Sequence, residues 1–182
     1  FSACNHALAD ERLQPVVVTA TRTEQPLTDV VADVSIIDRE VIERNAGGSV
    51  ADVLAKEASV QIMRQGGMAA NTELYLRGAD TRFTAVFIDG IRVDSQSGSG
   101  GVSWSALPLS QIDHIEILRG PAGAIYGSDA VAGVIQIFTR KGEPGFHPSF
   151  MVGRGTYQTD VYEAGVRGGD GKVDYSINLA ND

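Results

Sequence analysis

The sequence predicts an α+β unit, a small mixed sheet with short helices, followed by antiparallel strands of a different character. Three observations carry this. Two short helix signals with polar caps follow residue 37. A series of strand-like apolar segments comes next, separated by glycine-rich turns. After Gly142 the pattern switches to strict alternation of apolar and polar residues.

Taken in order, residues 10–30 are polar and carry two prolines, which predicts an extended, poorly ordered arm. The exception is "PVVVTA", whose valines and threonine favour a strand. No Asn-Gly or Asp-Gly turn leads from it into a second strand within the next dozen residues, so it reads as a strand awaiting a partner. Compact structure is expected from about Val34, with "VSII" as a short strand. Asp38 caps "REVIERN", which Gly47-Gly48 ends. Ser49 opens a second helix, "SVADVLAKEA", with Val50, Val53 and Leu54 on one face and Asp52 as a capping-box partner.

Strand signals follow. "SVQIM" puts Val60 and Ile62 on one face, and "TELYLRG" does so with Leu74 and Leu76. "TAVFIDG" is continuously apolar, as in a strand covered on both sides. Asp89-Gly90 marks a turn into "IRVD". "HIEILRG" and "AGVIQIFTRK" complete the unit, joined by "PAGAIYGSDAV" with room for one helical turn. Beyond Gly142, Val173, Tyr175, Ile177 and Leu179 share one face of "KVDYSINL", and Tyr162, Ala164 and Val166 share one face of "TDVYEAGVRGG". "SFMVGRG" reads as a shorter relative. A soluble sandwich and a membrane barrel explain this alternation equally well.

Composition narrows the function classes. A formal net charge of −8 argues against a general nucleic-acid binder, which needs clustered Lys and Arg. A single cysteine, Cys4, excludes a disulfide framework and a cysteine-based zinc site. No apolar run reaches the length of a membrane helix, which leaves barrel strands open. Ala7-Leu8-Ala9 has the small-x-small form of a signal-peptidase site, so residues 1–9 read as the remnant of an export signal. Lipidation at Cys4 and a spare thiol are the alternatives.

Catalytic signals are weak. The glycines at 98–101 lack the lysine and helix of a phosphate loop, and "YGSDA" lacks a nucleophile elbow. His6, His114 and His147 are too scattered for a zinc site. His114 and Glu116 share a strand face as an exposed or half-buried pair. Nothing joins a nucleophile, a base and an orienting group, so neither an enzyme nor a bound cofactor is expected.

The ordered set "PVVVTATR", "SVADVLAKEASVQI", "ELYLRGAD", "AVFIDGIRVD" and "LSQIDHIEILRGPAGAIYGSDAVAGVIQIFTRK" resembles the plug domain of TonB-dependent outer-membrane receptors over residues 15–142. The resemblance implies a plug at 34–142, an arm carrying the TonB box at 10–33, and about three strands of an incomplete transmembrane β-barrel at 143–182. "RTEQP", "YGSDA" and "GTYQTDVYEAGVRGG" look most similar to cobalamin transporters; siderophore and haem receptors share most plug motifs.

The TonB box implied is Pro15, Val16, Val17, Val18, Thr19 and Ala20, with Arg22 as an anchor beyond it. Its partner is the periplasmic C-terminal domain of TonB, with the inner-membrane energy-coupling complex, met by strand addition. Ligand-binding loops at 64–71 and 94–104 would supply Gly66, Gly67, Met68, Asn71, Ser95, Gln96, Ser97, Gly98, Ser99 and Gly100, with Met68 and Trp104 as apolar surface. Such a neutral surface suits cobalamin better than an anionic ferric siderophore. Arg77 and Arg119 would pair with barrel-wall carboxylates, and outer-membrane lipid would surround the barrel. A truncated periplasmic TonB-binding module is the alternative from another class.

Overall fold

The computed structural model describes residues 16–19, 23, 25–26, 32–45, 48–66, 72–94, 102, 104, 107–142, 144–154, 160–170 and 173–181. Its centre is a five-stranded mixed sheet in the order β3 (Asp33–Ile37), β8 (Ile112–Arg119), β9 (Gly133–Thr139), β6 (Thr84–Ile88), β7 (Ile91–Arg92). Only β6 and β9 run parallel; the other pairs are antiparallel.

Local chemistry places the elements around it. Asp38 accepts the Val41 N–H and starts α1 (Arg39–Arg44). Ser49 and Asp52 exchange side-chain and backbone hydrogen bonds in a full capping box that starts α2 (Val50–Leu54). This helix is shorter than its sequence signal, because only Val50, Ala51, Val53 and Leu54 have a core to face. The hairpin of β4 (Val60–Arg64) and β5 (Thr72–Leu76) packs beside it. At the β6–β7 corner, Asp89 and Gly90 both take positive φ (48° and 81°), the paired left-handed geometry of a two-residue hairpin turn.

The sheet buries both faces. On one side Ile115, Ile117, Ile135, Ile137 and Val86 join Ile42, Leu54 and Leu76 in the main core. On the other, Ala85, Phe87, Leu118 and Val134 pack with Ala122, Tyr126 and Ala130 around the short helix α3 (Gly123–Tyr126). The alternation along β6, with Val86 to one cluster and Ala85 and Phe87 to the other, is what its continuous apolar run predicts.

A separate sheet contains β10 (Gly145–Arg154), β11 (Asp160–Gly169) and β12 (Asp174–Asn181), all antiparallel. β10 is longer than the sequence suggests: its pairing starts at Gly145, and His147-Pro148 continues the ladder. Registers Phe150↔Ala164↔Leu179 and Pro148↔Val166↔Ile177 set the apolar side chains of the three strands on one face. That face is open, with Phe150 76% and Leu179 73% exposed. Among the described residues no second sheet covers it, and an apolar-outward barrel wall has this arrangement.

Candidate functional site

The second face of the central sheet buries a carboxylate, Glu116, in a largely apolar setting that it shares with Gln136. It sits mid-strand on β8, flanked by Ile36 on β3 and Gln136 on β9. Its side chain is 0% exposed. Carboxylates are buried at this depth only when their charge is met by donors. The donors come from the far N-terminal side of the chain. The Val18 N–H donates to both carboxylate oxygens, at 2.9 and 3.0 Å, and the Thr19 N–H donates to Oε2 at 2.6 Å. Tyr126 completes the clamp from α3 by donating its hydroxyl to the Thr19 carbonyl at 2.8 Å.

The segment so held is β1 (Val16–Val17) and the two residues after it. Val17 and Thr19 are buried against the sheet. β1 also pairs antiparallel with β2 (Gln25–Pro26), in the register Val16↔Pro26 and Val17↔Gln25. This corrects two expectations. The segment has a nearby partner strand, reached without an Asn-Gly or Asp-Gly turn. Within the arm, Val17 to Thr19 are also packed on the sheet rather than loose, because a buried carboxylate and a tyrosine hydroxyl bind the backbone of Val18 and Thr19.

His114 borders the clamp on the same face, as its i+2 spacing from Glu116 predicts. Its Nε2 lies 3.6 Å from Glu116 Oε1, its Nδ1 lies 2.7 Å from Asp113 Oδ2, and its ring stacks on Phe138 at 4.4 Å. Burial pushes the Glu116 carboxyl up, but hydrogen bonds from His114, Thr19 and Val18 outweigh it and hold the group below its ordinary value. Burial lowers His114, and the bonds to Glu116 and Asp113 more than reverse that, so its affinity for a proton is raised.

The remaining sequence-predicted residues fall elsewhere. Pro15, Ala20, Arg22, Gly67, Met68, Asn71 and Ser95 to Gly100 lie outside the described residues. Gly66 ends the β4 side of the first proposed loop, exposed and at φ 149°. Trp104 corrects another expectation: it is buried in the main core with Val102, Leu107 and Leu109, and offers no apolar surface to a ligand. Arg77 and Arg119 both meet carboxylates near the edge of the central sheet. Arg77 pairs with Asp33 at 2.6 Å. Arg119, nearly buried, reaches Asp33 at 3.5 Å, Glu57 at 3.4 Å and the Ala58 carbonyl at 3.1 Å.

From the sequence Glu116 stands out only as the face-mate of His114 in an exposed or half-buried pair, and its full burial corrects that expectation; Tyr126 carries no such signal. A usable signal existed: "IEIL" places a lone carboxylate inside a strand with apolar residues on both faces. Such a carboxylate must find donors from elsewhere in the chain.

The family model for the TonB-dependent Receptor Plug Domain matches residues 26–134, which begins just after the clamped segment. The vitamin B12 transporter BtuB of Vibrio vulnificus (strain CMCP6) is 36% identical over 138 residues, 76% of this chain and 22% of that protein. The chain therefore spans about a fifth of that relative's length. Among solved structures, Pseudomonas aeruginosa FpvA bound to heterologous pyoverdines matches with a TM-score of 0.71 at 18% identity, covering 92% of this chain and 22% of the other. The ferric yersiniabactin uptake receptor FyuA of Yersinia pestis matches with a TM-score of 0.65 at 21% identity, covering 82% and 24%. At these identities the two structures speak for the fold alone.

Proposed function

The chain belongs to the TonB-dependent receptor plug family, and from that membership we propose that it forms the plug and first barrel strands of an outer-membrane receptor for energy-coupled uptake of cobalamin. The observation that carries the reading is the clamped segment Val16–Thr19, strand β1 and the two residues after it. It lies outside the central sheet, and side chains rather than a sheet hold the backbone of Val18 and Thr19. A strand held this way can be handed to another sheet edge without dismantling the fold beneath it.

In this reading residues 15–20 form the TonB box and face the periplasm, and the C-terminal domain of TonB is the partner. The plug at 34–142 sits inside the barrel, and the open apolar face of β10–β12 meets outer-membrane lipid. Loops 64–71 and 94–104 contact the ligand, without Trp104. Arg77 and Arg119, already paired within the plug, would add barrel carboxylates. Coupling is mechanical and binding is non-covalent, so no residue is given a catalytic role.

Cobalamin is favoured by the likeness to a vitamin B12 transporter over 76% of the chain. A ferric-siderophore receptor is the second reading, since siderophore receptors share most of the plug motifs that this sequence carries. The test is calorimetric titration of the full-length receptor in detergent with cyanocobalamin and, separately, with a panel of ferric siderophores. Tight cobalamin binding, weakened when Ser97–Gly101 is replaced, supports the first reading. Tight binding of one siderophore with no cobalamin binding overturns it in favour of the second.

A further inference from the structure

We propose that Glu116 is the positioning residue that withholds the segment Val16–Thr19 from its partner, because its carboxylate occupies, at Val18 and Thr19, the same backbone donors that a partner's sheet edge must take. The proposal rests on the reading of this segment as a TonB-docking strand. Strand addition works through main-chain hydrogen bonds, so its first requirement is free N–H and C=O groups on the incoming strand. Here the N–H groups of Val18 and Thr19 both end on Glu116, and the Thr19 carbonyl ends on Tyr126. No partner carbonyl can reach those donors while the carboxylate holds them. Docking is therefore an exchange of acceptors, Glu116 for a strand edge.

The latch and the strand need each other. With the segment in place, the buried carboxylate has its donors. With the segment gone, Glu116 loses both donors and its cover, and water and His114 take over. Control of the Val18 and Thr19 amides is thus concentrated in one side chain, with Tyr126 holding the Thr19 carbonyl beside it, whereas an ordinary strand pair would spread it over several rungs.

The charged groups around Glu116 define its response to acid. His114 faces it from the same strand, backed by Asp113. From β9 and α3 come Gln136 and Tyr126, and from β3 Ile36; none of these is charged near neutral pH. Along the same row of the sheet, beyond Gln136 and Phe87, lies Arg92, about 14 Å away by strand spacing and neutralised by Asp94 and Asp129. Glu116 has a depressed affinity for protons when the strand is docked, so its contribution is complete above its ordinary value of 4.5 and is lost as pH falls through the docked-state value. His114 has a raised affinity, so its contribution is complete below 6.5 and is lost as pH rises through the docked-state value. Docking is firmest between those two limits.

The test is amide hydrogen exchange of the full-length receptor in detergent, read at Val18 and Thr19, together with binding of the purified TonB C-terminal domain without transport ligand. Glu116→Ala is expected to reduce protection at both amides at least tenfold and to tighten TonB-domain binding by a similar factor. Glu116→Gln, isosteric and able to accept through one oxygen only, is expected to fall between. In the wild type, protection corrected for intrinsic exchange should fall below pH 4.5; in Glu116→Gln that acid limb should be absent. Unchanged protection at Ile115 and Ile135 certifies the sheet; if Glu116→Ala disturbs it, the Gln variant and its pH profile decide. Protection within twofold of wild type in both variants, with the wild type still binding the TonB domain, overturns the latch alone. Loss of protection with no TonB-domain binding by any form, even with ligand present, overturns the docking-strand reading on which the latch rests.

Discussion

Tyr126→Phe separates the hydroxyl of the clamp from its packing. The ring lies 5.2 Å from Phe87, tilted by 57°, inside the smaller apolar cluster, and phenylalanine keeps that contact. Only the O–H is lost, and with it the 2.8 Å bond to the Thr19 carbonyl and a longer one, 3.4 Å, to Gln136 Oε1. A neutral hydrogen bond contributes about 1 kcal/mol net, and a buried carbonyl left without a donor costs about 1–3 kcal/mol. Some of that cost disappears when the segment releases and water solvates the carbonyl. We therefore expect docking to weaken by about 1–2 kcal/mol, a roughly 5- to 30-fold rise in the released population. Exchange of the Val18 and Thr19 amides in the full-length receptor reads this population directly. Exchange at Leu118 and Val134, in the sheet below, should stay at the wild-type rate. If the Val18 and Thr19 rates stay within twofold of wild type, the hydroxyl does not hold the segment and the clamp reasoning is wrong at this residue.

Three further outcomes follow from the packing. Leu76→Ala removes a fully buried side chain from the main core and should destabilise the plug by about 2–5 kcal/mol, seen as earlier loss of core amide protection in urea. Gly133→Ala should cost about 3 kcal/mol or more in the same assay, since its Cβ would lie 2.2 Å from the Leu118 carbonyl oxygen and 2.6 Å from Leu76 Cδ2 at φ 156°. Adding Leu76→Ala should fail to rescue it, because the backbone oxygen remains. With the open apolar face against lipid as proposed, Phe150→Arg should cost up to about 2–4 kcal/mol, more the deeper it sits, and reduce the fraction of folded receptor in extracted membranes, while Ser176→Arg on the opposite face should cost less.

Features set by neighbours in sequence were the legible ones. The Asp38 and Ser49 caps, the Asp89-Gly90 corner and the shared apolar face of Tyr175, Ile177 and Leu179 each depend on residues within a few positions. The ends of elements were less legible. α2 stops at Leu54 because burial, rather than helix propensity, sets its length. The site itself is almost wholly non-local: Val18 and Glu116 are 98 positions apart, and Thr19 and Tyr126 are 107 apart. His114 and Glu116 were placed on one face correctly, yet strand spacing says nothing of what covers that face. Trp104 misled for a related reason. Its glycine- and serine-rich surroundings suggest an exposed loop, while the ring turns inward to the core.

The position of Asp33 has a mechanical meaning. Among the described residues β3 is an edge strand, joined to the sheet by one ladder, with β8, whose first rung is Asp33↔Arg119. At that rung the Asp33 side chain meets both Arg77 and Arg119. Tension entering along the chain from the N-terminal side meets Asp33 before it meets any other rung of the central sheet. The edge strand is the part of the sheet that can peel one rung at a time, and its leading rung is the one fastened by charge. The fold thus offers a graded resistance: a clasp at the point where a load arrives, and behind it a strand that can come away while the four others stay joined.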